Sequence, residues 1–156
     1  MISPPPTTVE RLSAEQARAC LDDLVELLRD AVDNAASVGF LPPLDLDIAT
    51  AYWRAIVDGV ARGVRVLLVA RWEGRIVGTV QLSLDGLPNS RYRGEVQKLL
   101  VHTNVRRGGI ARALMAAIEE EARRAGRVLL VLDTRRGDPA EQLYGSGGWT
   151  RVGVIP

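Results

Sequence analysis

An apolar run, Val96 to Val101, leads into Val105-Arg106-Arg107-Gly108-Gly109-Ile110-Ala111-Arg112-Ala113-Leu114-Met115. This junction constrains the fold more than any other part of the chain. A strand feeds a short loop of arginines and glycines, and the loop feeds a long helix. Such an arrangement aims unpaired backbone N–H groups, the positive end of a helix dipole and several guanidinium groups at one point. It reads as a cradle for a phosphate or pyrophosphate. From the residues alone, a surface turn with solvated arginines stands beside that reading.

The flanking pattern predicts a mixed α/β or α+β domain. Residues 1–12 read as an extended lead-in to a single domain over 13–156. Ser13 with Gln16 forms a capping box, and Ala17, Cys20, Leu21, Leu24, Leu27, Leu28 and Ala31 recur at helical spacing. Pro42 and Pro43 stop that pattern. A second helix is predicted from Ile48 to Ala61, ended by Gly63. The period then changes: Val64 to Ala70 and Arg75 to Leu84 read as partner strands across a Glu73-Gly74 turn. Asp85 to Arg93 reads as a loop and Glu95 to Val101 as a strand. Gly109 to Ala125 is a helix stopped by Gly126, and Val128 to Leu132 reads as a strand buried on both faces. A short helix from Pro139 to Gly145 and a last strand from Trp149 to Val154 complete the order ααβββαβαβ.

The 156 residues suffice for a substantial core, and 47% are hydrophobic, which argues against disorder. A formal net charge of +1 gives no support to nucleic-acid binding. Cys20 is the only cysteine and His102 the only histidine, which excludes an intrachain disulfide and a multi-histidine or cysteine-rich metal centre. The proline-rich start, Met1 to Thr8, has no apolar signal region, and no run is long enough to span a membrane. A cytoplasmic protein is expected.

Known phosphate loops divide sharply on this sequence. A nucleotide P-loop needs a Gly-Lys-Ser/Thr ending that the stretch lacks. A dinucleotide fingerprint follows the first strand of its βαβ unit, whereas three β-rich runs precede this loop. Arg106-x-x-Gly109-x-Ala111 instead resembles the acyl-CoA pyrophosphate loop of the GNAT N-acetyltransferase superfamily, over about residues 10–155. Small residues at Gly109 and Ala111 let backbone approach phosphate, and Arg106, Arg107 and Arg112 can add charge-assisted contacts. Glu95-Val96-Gln97-Lys98-Leu99-Leu100-Val101, Leu132-Asp133-Thr134, Leu143-Tyr144 and Trp149-Thr150-Arg151-Val152-Gly153 resemble the tabtoxin resistance protein group, acetyltransferases that inactivate a toxic amine-bearing amino acid.

The resemblance implies a mixed central sheet flanked by helices, acetyl-CoA as cosubstrate and a small-molecule amine as acceptor. It implies cofactor contacts from Leu99, Leu100, Val101, Arg106, Arg107, Gly108, Gly109, Ile110, Ala111 and Arg112. The main-chain amides of 99–101 would face the thioester. It also implies a further C-terminal strand than this sequence supplies, hence an open edge that a second copy could cover in a homodimer. Direct attack needs an amine that has lost its proton, since an alkyl ammonium with a pKa of about 10.4 has no lone pair. Glu95 and Asp133 are the candidate bases, alone or through water, and Tyr144 the candidate acid for the departing thiolate. Each has a plainer alternative: a strand charge beside Arg91 or Arg93, a turn cap, and a packing aromatic. An acyl-CoA-binding module without catalysis and a protein N-acetyltransferase are the competing functions. The Ser37–Pro43 and Asp85–Arg93 loops would shape the acceptor entrance.

Overall fold

The computed structural model describes residues 7–106 and 108–156. The element order is β1 (Thr8–Arg11), α1 (Ala14–Ala19), α2 (Leu21–Asp33), α3 (Leu46–Ala61), β2 (Arg65–Trp72), β3 (Arg75–Ser83), β4 (Arg93–Val101), α4 (Ile110–Arg124), β5 (Leu129–Val131) and α5 (Pro139–Ser146). The strands form one five-stranded sheet in the order β1-β2-β3-β4-β5. The first three pairings are antiparallel, and β4–β5 is parallel with α4 as the crossover.

The sheet separates two cores. Leu67, Val69, Ile76 and Leu100 turn toward α1, α2 and α3, where Trp53, Leu24, Leu27 and Leu28 are buried. Val66, Leu68, Val80, Leu82 and Val96 turn toward α4 and meet Ile110, Leu114, Met115 and Ile118. Alternation with period two places successive residues on opposite faces, so β2, β3 and β4 each feed both cores.

Local signals read from the sequence are present. Ser13 and Gln16 form both bonds of a capping box. Asp45 caps α3 by accepting from Asp47 N at 2.7 Å. Glu73 and Gly74 both take left-handed angles, φ 49° and 78°, the requirement of a tight primed hairpin turn.

Four expectations change. The lead-in contains β1, whose Val9 pairs with Ala70; its mixed polarity is that of an edge strand. The single first helix is broken at Cys20, where φ is −111° and ψ 15°. The run Val128–Leu132 is a strand only over Leu129–Val131, and it lies at the sheet edge rather than buried on both faces, with Val128 83% exposed. Trp149–Val154 forms no strand: Val152 is fully exposed, and a strand without a neighbouring ladder leaves its backbone groups to water.

Candidate active site

Strand β4 carries the irregularity on which the site is built. Gln81 pairs with Gln97 but Thr79 pairs with Leu100, so β4 holds one extra residue, and Lys98 sits in the left-handed region at φ 53°. On the other side, β5 pairs with β4 only from Arg93 to Glu95, while β4 continues to Val101. The two parallel strands therefore part beyond Glu95 and Val131. Leu99, Leu100 and Val101 lie on the stretch of β4 beyond its last pair with β5.

The end of β4 turns through Thr103–Val105 into the arginine-glycine loop. Gly109 is the N-cap of α4 at φ 79°, and no side chain caps the helix. A Cβ at Gly109 would meet nothing within 4 Å. The open side and the uncapped amides of Ile110, Ala111 and Arg112 fit an anion such as a pyrophosphate. Gly108 is half-buried beside them. Arg106 Nε reaches back to the Val101 carbonyl at 3.4 Å, and Arg112 Nη2 donates to the Ser146 hydroxyl at 3.0 Å. Arg107 lies outside the described residues.

Close packing fixes this helix start against the sheet. A Cβ on Gly78 of β3 would stand 3.0 Å from Ile110 Cγ2 and 3.0 Å from Leu114 Cδ1. Only a missing side chain allows the first turn of α4 to approach so near.

The titratable candidates divide between the faces: Glu95 alternates with Val96, which turns toward α4, whereas Tyr144 packs on the α4 side. Glu95 is half-buried and pairs with Ser83 and Val131. Asp133 is exposed two residues beyond β5 and close enough to bias both Lys98 and Tyr144. Burial, then the Asp133 charge, pushes the Tyr144 phenol above its ordinary value, so it keeps its proton at neutral pH. Tyr144 rests against Trp149, ring centroids 6.1 Å apart, over a recess of about 170 Å³ that Arg112, Met115 and Leu143 also line.

The sequence reading passed over two features. Arg65 Nη1 donates to Gln81 Oε1 at 2.9 Å and Gln97 Oε1 at 2.8 Å, and Gln81 Nε2 donates to Tyr52 Oη at 3.1 Å. This network satisfies a glutamine with no exposed surface and carries polarity from β2 across to β4. The second feature is Lys98, whose Nζ donates to the Val38 carbonyl at 2.7 Å. Burial lowers its pKa; the charge of Arg65 adds to this, and those of Asp133 and Glu95 oppose it. A polar residue at an inward strand position was the signal for the first, and a lysine inside a strand for the second.

His102 is structural: its Nδ1 accepts from Asn104 N at 3.2 Å, and Nε2 faces Glu26 and Asp30. Cys20 is half-buried and accepts from Arg71 Nη2. A larger groove of about 520 Å³, lined by Asp22, Glu26, Asp30, Asp33 and His102, shares no residue with the site above. Among the described residues no cluster of three or more His, Cys, Asp and Glu could hold a metal, and no helix is long and apolar enough to cross a membrane.

Residues 21–148 match the model of the acetyltransferase (GNAT) family. The chain is 32% identical over 130 residues to an uncharacterized N-acetyltransferase from the hisH-hisA intergenic region of Azospirillum brasilense, covering 82% of this chain and 75% of that protein. Its fold is similar to that of an N-acetyltransferase from Staphylococcus aureus Mu50, at TM-score 0.77 and 20% identity over 95% of this chain and 86% of the other. It is also similar to an aminoglycoside N-acetyltransferase solved in complex with CoA, at TM-score 0.73 and 14% identity over 97% and 93% of the two chains.

Proposed function

Because the chain belongs to the acetyltransferase (GNAT) family, we propose that it transfers acetyl from acetyl-CoA to the primary amine of a small molecule by direct attack. One observation carries the reading: β4 stops pairing with β5 beyond Glu95, and that same end of β4 leads through the loop into the uncapped start of α4. A slot between strands and an anion cradle at its mouth suit a thioester on a long arm ending in a pyrophosphate.

Each step falls to a residue of this chain. The amides of Ile110, Ala111 and Arg112, with Arg106 and Arg107, hold the pyrophosphate at the positive end of α4. Main-chain N–H groups of Leu99, Leu100 and Val101 donate to the thioester oxygen as charge develops there. Glu95 or Asp133 takes the amine proton, directly or through one water, while the new N–C bond forms. As the C–S bond breaks, the Tyr144 phenol donates its proton to sulfur.

The acceptor in this proposal is a small cationic amine, drawn by Glu95 and Asp133. The likeness in fold to an aminoglycoside acetyltransferase supports that class, and inactivation of a toxic or antibiotic amine is the biological role that goes with it. A homodimer covering the open β5 edge and a cytoplasmic setting complete the reading. The decisive experiment incubates purified protein and acetyl-CoA with a panel of amines, amino acids, aminoglycosides and peptides. Thiol release and acetylated product are then followed by mass spectrometry. Product on a small amine is the expected result. Coenzyme A binding without product on any acceptor would instead make this a non-catalytic acyl-CoA module, and product on peptides alone a protein acetyltransferase.

A further inference from the structure

Lys98 joins the two halves of the site. Its backbone adopts φ 53°, a region that glycine enters freely and a lysine rarely does. Such a conformation persists where the surroundings hold it. Here the surroundings are two contacts on the α3 side, themselves backed by neighbours. The ammonium donates to the Val38 carbonyl at 2.7 Å and stands 6.0 Å from the centre of the Tyr52 ring. Phe40, two residues beyond Val38, meets that same ring edge-on at 5.4 Å. Gly39 lies between them, and a Cβ there would be 3.6 Å from Lys98 Nζ. A side chain rooted in the β4 bulge thus grips the loop that borders the acceptor side.

We infer that Lys98 is a positioning residue: it latches the Ser37–Pro43 loop onto the β4 bulge, and through that loop it sets the affinity for the acceptor amine rather than for acetyl-CoA. The acceptor half of this inference rests on the acetyltransferase reading; the latch does not. Glycine would suit the backbone better at this position, so the lysine side chain is what offsets the strain. The charged and titratable groups that face the ammonium are Arg65 from β2, Glu95 from its own strand, Asp133 beyond β5 and the Tyr52 phenol from α3. Burial favours the neutral amine, so the latch loosens at a lower pH than a free lysine would lose its proton.

Three variants test this. Lys98→Gly removes the side chain while relieving the backbone, Lys98→Met keeps the stem without a donor, and Lys98→Arg keeps a donor for Val38. Lys98→Gly and Lys98→Met are expected to raise the amine KM about tenfold or more while the acetyl-CoA KM stays within about twofold, a loss of one charge-assisted bond. Lys98→Arg is expected to restore the amine KM to within about threefold of wild type, as a retained donor should. The melting temperature of Lys98→Gly should not fall. The alkaline decline in kcat/KM for the amine should begin at a higher pH in Lys98→Met than in wild type, because only the Tyr144 limb remains. Hydrogen–deuterium exchange over residues 37–43 should quicken in the Gly and Met variants. This readout needs no turnover. Unchanged exchange over that loop overturns the latch. A raised acetyl-CoA KM with an unchanged amine KM overturns the acceptor role and assigns Lys98 to the bulge alone. Should wild type acetylate no amine, the acetyltransferase reading falls and exchange alone decides the latch.

Discussion

Arg112 Nη2 donates to the Ser146 hydroxyl at 3.0 Å, tying the helix that starts at the arginine-glycine loop to the helix that carries Tyr144. The guanidinium is exposed and can turn to a phosphate without leaving a buried donor unpaired. Arg112→Ala is therefore expected to weaken coenzyme A binding about tenfold, the value of one charge-assisted bond. Ser146→Ala should change it by less than about twofold, since the surface bond it removes is weak. Calorimetric titration with coenzyme A measures both. Equal losses would mean that the bridge, rather than the charge, matters.

Tyr144→Phe keeps the ring against Trp149 and removes the proton donor. Turnover should fall by about a hundredfold, the ordinary contribution of a positioned acid. The acetyl-CoA KM should stay near that of wild type. Steady-state kinetics with the best amine acceptor decides it, and an unchanged kcat removes Tyr144 from the chemistry.

Gly78→Ala tests the docking of α4. The added methyl would press on Ile110, Leu114 and the Leu100 carbonyl, the last at 3.2 Å. Overpacking of this kind costs about 1–3 kcal/mol. A lower urea midpoint at unchanged m-value is expected, together with weaker coenzyme A binding, because Ile110 opens the helix. Wild-type stability would show that the contact yields.

Alkaline stability follows from Tyr52 and Tyr144. Burial is the main cause that raises both phenols. For Tyr52 the bond from Gln81 and the Arg65 charge oppose it, whereas for Tyr144 the Asp133 charge adds to it. A phenol that holds its proton longer when folded stabilises the fold fully below the unfolded value of about 10. That stability is lost as pH rises through the raised folded values. Denaturation midpoints measured above about pH 10 should therefore decline, and less steeply in Tyr52→Phe and Tyr144→Phe. Equal slopes in all three proteins would contradict this.

Much of this architecture is legible in the chain because its signals are local. Glu73-Gly74 between two β-rich runs can only close a hairpin, and Ser13 with Gln16 announces a helix start. The features that stayed hidden are non-local. One extra residue in β4 alters neither composition nor periodicity, so the bulge at Lys98 shows only when Gln97 and Leu100 are paired with β3. Gln81 has partners distant in sequence, so its burial is explained only when Arg65 and Tyr52 close over it. Neither the apolar run Val128–Leu132 nor the β-rich Trp149–Val154 says whether a neighbouring strand exists. The first is an edge strand, although it has the composition of a buried one, and the second is no strand at all. For Glu95, Asp133 and Tyr144 the sequence named the candidates; that Asp133 lies near both Tyr144 and Lys98 came from the fold.

The early end of the β4–β5 ladder has an evolutionary corollary under the proposed function. Where two parallel strands separate, their facing N–H and C=O groups can be satisfied by an amide-bearing arm lying between them like a borrowed strand. Recognition of that arm would then be written in main chain, which mutation of side chains leaves almost untouched. Side chains of the Ser37–Pro43 and Asp85–Arg93 loops, which would border the acceptor, would be free to drift toward new amines without endangering the common donor.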